Sequence, residues 1–355
     1  MKMRLMSFKT VVFVCCILFM CFGCDSIALY FDGSKTSVNE NDQVVFVPTG
    51  VTLDELADLL IDSGIIDNKE AFVAVGDYKN LSTNRLAAGK YSITPKTDFK
   101  TLLNGFTINS LGNGNAEKEV DVTFNNCKDI PQLAGKVAKH IEVDSAVIAS
   151  YILSDSILNK YGFSAERIAA LFLPNTYRMY WDTDAASFAE RMAKEFKAFW
   201  TDERTAKLTS VGLRSQSDAV TLASIVYKEQ DKHDEEWPII ARLYLNRIKA
   251  GWPLQSDPTF RFCWGESLDG VERLTYEHRA IDCPYNTYIY AGLPPGPICI
   301  PPSGVVDAVL NPADNDYMFM CAKPKGDGLH NFTKSLTQHN KNARDFQNWL
   351  DSIGK

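Results

Sequence analysis

In this 355-residue chain, the segment DAVTLASIVYKEQ, Asp218 to Gln230, ends in a carboxylate placed for acid–base work. On a helix, Leu222, Ile225 and Val226 precede Glu229 by seven, four and three residues and share its face. An apolar stripe leading to Glu229 predicts a sheltered carboxyl, and burial disfavours the charged form of such a group. A carboxyl that keeps its proton near neutral pH is what a general acid for glycoside cleavage requires. The same spacing also fits a glutamate that points to water at a fraying helix end, or one that pairs with Lys228. The helix alone leaves both readings open.

The elements that would position Glu229 can be read from periodicity. Gln43 to Val47 reads as a strand. Thr52 followed by Glu55 is a capping-box pattern ahead of Leu53, Leu56, Ala57 and Leu60, and Gly64 stands where a helix-ending glycine belongs. A second helix is expected at 68–76, a strand in LAAGKYSITP, Leu86 to Pro95, and a third helix capped by Asp98 and running to Leu103. Together they form a small α+β module. Asn109 to Lys118 is rich in Gly and Asn, without periodicity, and reads as a domain boundary. Beyond it, Glu119 to Phe124 alternates as a strand. Helices are expected at 130–140, 145–158, 165–172, 185–200, 218–230 and 237–250. A strand is expected at Asp316 to Ala322, and a polar amphipathic helix from about Asn340. From Trp252 to Pro302 the chain is rich in Pro, Gly and aromatics, a composition suited to ordered loops on a rigid frame.

Composition narrows the function classes. Charged residues make up 23% and aromatics 11%, an ordinary globular balance. Lys2, Arg4 and Lys9 precede an uncharged apolar run from Thr10 to Cys24. That run reads as an uncleaved signal anchor or as a signal ending in a lipidated Cys24; either leaves the rest of the chain outside the cytoplasm, with the basic flank inside. Removing those three basic charges and no acid takes the formal charge from −7 to −10. Such an acidic exported part does not suit nucleic acid, and a neutral or weakly charged polymer is the better expectation.

Four of the nine cysteines lie in the apolar run. The other five are Cys127, Cys263, Cys283, Cys299 and Cys321, an odd number that cannot all pair internally. Cys263 and Cys283 are candidates for a bridge in an oxidising compartment, and buried free thiols fit equally well. No two of these five are spaced as CxxC, and His330 and His339 have no evident third partner, so neither a metal site nor a cofactor is expected. GxSxG, HExxH, P-loop and dinucleotide glycine patterns are all absent from the sequence.

Longer blocks surround Glu229. They include ASIVYKE, LYLNRIKAGWPLQSDPT, PYNTYIYAGLPPGPI and HNFTKSLTQHN, with LFLPNTY and LAAGKYSI further back. In order and spacing these blocks resemble the YceG-like family of endolytic murein transglycosylases, also called MltG. The resemblance covers nearly the whole chain. It implies an anchor at 1–32, a LysM-like module at 43–108 and a larger mixed α/β catalytic domain at 119–355. It also implies cleavage of the MurNAc–GlcNAc bond inside glycan strands without water, leaving 1,6-anhydro ends. Glu229 then falls on the family's catalytic glutamate. One carboxyl suffices for this reaction because the substrate supplies the nucleophile, whereas an ordinary glycosidase needs two.

Gln255, Ser256, Asp257, Tyr285, Asn286, Thr287 and Tyr288 are candidates for sugar contact, or are residues that only shape turns and core. The chain departs from the family in three places. Tyr227 stands where many members carry a second glutamate, Asn175 where an aspartate is common, and Leu336-Thr337-Gln338 loosens the final block. The implied partners are peptidoglycan strands and the synthesis machinery, including penicillin-binding proteins. The implied location is the outer face of the plasma membrane. Two other readings remain: a non-catalytic glycan-binding scaffold, and a hydrolase that uses Asp257 as a second carboxylate.

Overall fold

The computed structural model describes residues 32–271 and 274–354. The apolar run read as an anchor therefore lies outside the described residues. Among those described, no helix is long and apolar enough to cross a membrane. The chain divides into two units. One takes in the chain to Asp121 with His140–Glu142 and Arg178–Thr183; the other is Val122–Lys139, Val143–Tyr177 and Asp184–Lys355.

The first unit begins at strand β1, Gln43–Val47, followed by α1, Leu53–Asp62. The capping box forms as expected: Thr52 accepts from the Glu55 amide while the Glu55 carboxylate accepts from the Thr52 amide at 2.8 Å. Gly64 ends the turn in the left-handed region at φ 67°. Asn68 caps α2, Lys69–Tyr78, through the Ala71 amide at 2.8 Å. Strand β2, Gly89–Ile93, lies antiparallel to β1, with Gln43 opposite Ile93 and Val47 opposite Gly89. Asp98 caps α3, Phe99–Phe106, through Thr101 at 2.9 Å. Alternate residues of β1 and one face of each helix supply the core, which includes Val47, Leu56, Phe72, Phe99 and Phe106.

The stretch read as a domain boundary is ordered. Asn109 accepts from the amides of Leu111 at 2.8 Å and Asn113 at 3.2 Å, and β3 starts at Glu117. Side chain-to-backbone turns of this kind carry no periodicity, so the pattern alone does not reveal them. Strands β3, Glu117–Phe124, and β4, Asn175–Tyr180, complete a sheet in the order β1-β2-β3-β4. The chain passes from one unit to the other along β3 and β4.

The second unit is mainly helical. It holds α4 at Ile130–Val137, α5 at Ser145–Ile152, α6 at Asp155–Tyr161, α7 at Ala185–Phe199 and α8 at Asp202–Val211. Then come α9 at Gln216–Glu229, α10 at Trp237–Lys249, α11 at Asp257–Trp264, α12 at Tyr276–Arg279 and α13 at Ser303–Leu310. The hairpin β5, Phe319–Ala322, and β6, His330–Thr333, precedes α14, Leu336–Ser352.

Several boundaries differ from the periodicity. The expected helix at 145–158 is two, parted at Ser154, whose hydroxyl bonds back to the Tyr151 carbonyl at 2.7 Å. The expected helix at 165–172 is one tight turn, Ile168–Leu171. The last helix starts at Leu336, where Ser335 caps it, rather than near Asn340. Apolar periodicity does not announce helix α8, although Thr201 and Gly212 bracket it with ordinary cap chemistry.

Helix α9 is the centre of this unit. Ala219 through Val226 are all buried, so the helix is enclosed on every side and is no two-faced surface helix. Leu222, Ile225 and Val226 pack with Ile240 and Tyr244 of α10 and with Val305, Val306 and Val309 of α13. Ser224 in this helix donates to the Thr221 carbonyl at 2.7 Å and accepts from the Ile298 amide at 3.0 Å, whereas the buried Ser217 hydroxyl has no partner among the described residues.

Cys263 and Cys283 form a disulfide, with Cα atoms 6.2 Å apart and a sequence separation of 20. Cys127, Cys299 and Cys321 are free. The bridge ties the end of α11 to the loop that follows α12. Cross-linking a loop of this length removes about 3 kcal/mol of chain entropy from the unfolded state. A Cys263→Ala/Cys283→Ala variant is therefore expected to lose roughly 2–4 kcal/mol in urea unfolding, and an unchanged unfolding midpoint would rule out a stabilising bridge.

Candidate active site

Glu229 is the last residue of α9, where the helix leaves the core. Two hydroxyls close on one of its oxygens. Tyr244 of α10 donates to Oε1 at 2.7 Å, and Ser256, just ahead of α11, donates to the same Oε1 at 2.5 Å. No hydrogen bond from the described residues reaches Oε2, and it is not among the enclosed atoms that lack a partner, so it opens onto the cleft beside it.

Burial pushes the Glu229 carboxyl up from its ordinary value, and the charge of Asp257 adds to this. The hydrogen bonds from Ser256 and Tyr244, and then the nearby His330, oppose the rise without cancelling it. The negative end of the α9 dipole also falls on its last turn and disfavours an anion there. The carboxyl is thus held toward its protonated form, with the proton free to sit on Oε2. Tyr244 is driven well above the usual phenol value by burial and by Glu229, so it acts as a donor.

The cleft has a volume of about 610 Å³, within the usual range for a ligand site. Asp257 faces it but is engaged: Tyr288 donates to Oδ1 at 2.5 Å, and Arg279 lies 3.6 Å from Oδ2. Arg247 braces the opposite side from α10. It donates to the carbonyls of Met318 at 2.7 Å and Leu254 at 2.6 Å, tying the residue that precedes β5 to the loop before Ser256. His339 of α14 stacks on Phe319, 5.2 Å between ring centres, and its burial lowers its proton affinity.

The residues singled out from sequence divide into two groups. Glu229, Gln255, Asp257 and Tyr288 line the cleft. Ser256, Asn286 and Thr287 are buried, and Tyr285 packs on Phe262 at 4.6 Å between ring centres, away from it. Expected sugar contacts from Asn286 and Thr287 are not what the fold provides. Asn286 donates to the carbonyls of Arg279 and Ile281, both at 2.8 Å. Thr287 accepts from the Ser256 amide at 3.1 Å and bonds Thr259 at 2.8 Å. Thr287 thus holds the 255–257 turn in place and keeps Ser256 on Glu229, while Asn286 pins the 279–281 segment. In that turn Gln255 has φ 51°, a left-handed conformation that costs a non-glycine residue of order 1–3 kcal/mol and that tends to persist at functional sites.

A family model described as the YceG-like family matches residues 45–345. The chain belongs to the YceG-like family. It is 26% identical over 324 residues to the endolytic murein transglycosylase of Bacillus subtilis strain 168, covering 87% of this chain and 84% of that protein. It is 22% identical to the Streptococcus pneumoniae D39 protein of the same name, covering 86% of this chain and 58% of that longer one. The crystal structure of a YceG-like protein from Listeria monocytogenes shares the fold, with a TM-score of 0.53 and 24% identity over 85% of this chain and 99% of that one.

In this family member, Tyr227 points away from the cleft, with its hydroxyl on Asn126 at 2.5 Å. A glutamate at position 227 would thus lie outside the site. Sequence reasoning misses three cleft residues that bear on the chemistry: Tyr244, Arg247 and Arg279. Tyr244 and Arg247 sit three apart in LYLNRIK, one helical face, which is the signal that points to them.

Because the folded protein raises the affinity of Glu229 for a proton, it binds more protons than the unfolded chain above the ordinary glutamate value of 4.5. Stability contributed by this group is therefore fully present below 4.5 and declines as pH rises toward the folded value. Glu229→Gln keeps both hydroxyl donors but cannot ionise, so it should unfold at higher urea than the parent at pH 7 and lose part of the pH dependence. Equal midpoints for the two proteins at pH 5 and pH 7 would contradict the assignment of a raised carboxyl.

Proposed function

We propose that this chain is an endolytic peptidoglycan lytic transglycosylase that cleaves the MurNAc–GlcNAc bond within glycan strands. The observation that carries this reading is the Glu229 carboxyl: its proton affinity is raised by burial, two hydroxyls anchor Oε1, and Oε2 is open to the cleft. The names of the relatives from Bacillus subtilis and Streptococcus pneumoniae support it.

Glu229 hands its proton from Oε2 to the glycosidic oxygen as the bond to the anomeric carbon breaks. The carboxylate left behind keeps the Tyr244 and Ser256 hydrogen bonds, which favour the charged form. It then takes the proton of the muramoyl C6 hydroxyl as that oxygen closes on the anomeric carbon. The product ends are 1,6-anhydro-MurNAc, and the acid returns to its starting state. No second carboxylate is needed, which fits an Asp257 already committed to Tyr288 and Arg279.

Around this centre we place a LysM-like module at 43–108, a catalytic domain at 119–355 and an N-terminal membrane anchor, with the cleft on the outer face of the plasma membrane. Cutting within growing strands there would end their elongation, and the penicillin-binding proteins that make the strands would be the neighbours. Support for export comes from the disulfide, which persists in oxidising compartments, and from the basic flank before the apolar run.

The test uses purified full-length protein in detergent, peptidoglycan and mass analysis of the released sugars. The parent should release anhydromuramoyl ends, and Glu229→Gln should slow their release by about 10²–10⁴-fold. Reducing ends in place of anhydro ends would show a hydrolase. Binding with no new ends would show a scaffold.

A further inference from the structure

A second buried carboxylate stands behind the cleft and does not face it. Glu236, with its side chain 6% exposed, follows the corner at which α9 gives way to α10. Three donors converge on it. The His330 amide donates to Oε1 at 2.9 Å, the Gln230 side chain donates to Oε2 at 2.9 Å, and His330 Nδ1 lies 2.7 Å from the same Oε2. A carboxylate in such a ring of donors acts as an acceptor only. The hydrogen between it and the imidazole therefore belongs to His330 Nδ1.

This bond fixes both the orientation and the tautomer of the ring, because the hydrogen bond made by one ring nitrogen sets the state of the other. In the neutral ring, Nε2 then carries the lone pair. Among the described residues it has no hydrogen-bond partner, it is not among the enclosed unpartnered atoms, and His330 lines the same cleft as Glu229. The ring cannot easily turn away, since its own backbone amide is held by the same Glu236 carboxylate and Phe332 packs 6.0 Å from it. The corner is braced further. Gln230, next to Glu229 in the chain, donates to the Gly328 carbonyl at 2.8 Å and accepts from Trp237 Nε1 at 2.7 Å through its own carbonyl. The knot that ends α9 at Glu229 thus also places the first residue of β6.

We propose that His330 is a glycan-contacting residue of this cleft, whose Nε2 accepts a hydrogen bond from a sugar hydroxyl, and that Glu236 is the positioning residue that holds it in the Nδ1–H form. The assignment rests on the reading of the cleft as a glycan site. Histidine in this setting contributes to holding the sugar, while the proton exchanged in bond cleavage remains with Glu229.

Two amide substitutions separate the two nitrogens of the ring. The shorter amide of His330→Asn overlays Nδ1 and keeps the bond to Glu236, whereas the longer amide of His330→Gln reaches the position of Nε2. The probe is a GlcNAc–MurNAc tetrasaccharide, bound to full-length Glu229→Gln protein so that it is not consumed. In that background His330→Asn should weaken binding at least fivefold with little change in melting temperature, and His330→Gln should recover most of the loss. In otherwise wild-type protein, His330→Asn should raise KM more than it lowers kcat, with anhydro products retained. Nitrogen-15 NMR of the histidines gives a readout that needs no variant: His330 should show Nδ1 protonated, and its Nε2 signal should move as tetrasaccharide is added. Unchanged affinity in His330→Asn, or an Nε2 signal indifferent to saturating sugar, overturns the proposal. If the Glu229→Gln protein binds no tetrasaccharide at all, the glycan reading of the cleft itself falls.

Discussion

Two hydroxyl groups on one carboxylate oxygen organise this site. Tyr244 and Ser256 come from different elements, yet both end on Oε1 of Glu229. Their convergence requires α9 to be locked at full depth, α10 to cross it closely, and the 255–257 turn to be pinned from behind. The buried Ser224 hydroxyl of α9, the threonine pair Thr259 and Thr287, and the carbonyl-bound Arg247 all serve those requirements. The asymmetry has a chemical result. One oxygen is fully solvated by protein, and the other is left for whatever enters the cleft. Preorganised donors of this kind do not have to reorient as charge develops, which is where most electrostatic assistance in enzymes originates.

Competing influences on the carboxyl are also ordered by size. Burial acts first and strongest, and it favours the proton. The two hydroxyls favour the anion but do not prevail. A group balanced this way holds its proton until an oxygen of higher demand is brought near, and its anion is not left unsupported afterward. Asp257 lends a negative charge from a short distance without competing for the role, because Tyr288 and Arg279 keep its own oxygens occupied.

Much of the local structure was legible in the residues. The capping box at Thr52 and Glu55, the left-handed Gly64 and the Asp98 cap are short-range chemistry and appear where the spacing places them. Glu229 was legible as well, although the reason was incomplete: the helix is enclosed on all sides, so sharing a face with Leu222, Ile225 and Val226 does not by itself distinguish the residue. Tertiary roles were not legible. Tyr244 matters only because two helices cross at one point, and Asn286 and Thr287 look like groove residues until their bonds to backbone and to Thr259 are seen. The 109–118 segment and α8 are hidden for a common reason, since side chain-to-backbone caps organise them more than apolar periodicity does.

Helix α14 is different in kind from the elements around Glu229. None of its residues is buried, and it leans on the β5–β6 hairpin, whose strands are themselves only half-covered. Yet Leu336, His339, Asn340 and Phe346 make up one flank of the cleft. A flank with so little apolar area behind it is easily displaced, while the opposite flank is anchored in the buried cluster around α9 and α10. The trough is thus rigid where protons are exchanged and yielding along its outer margin. For a substrate that is a long strand with no nearby end, such a margin allows entry from the side.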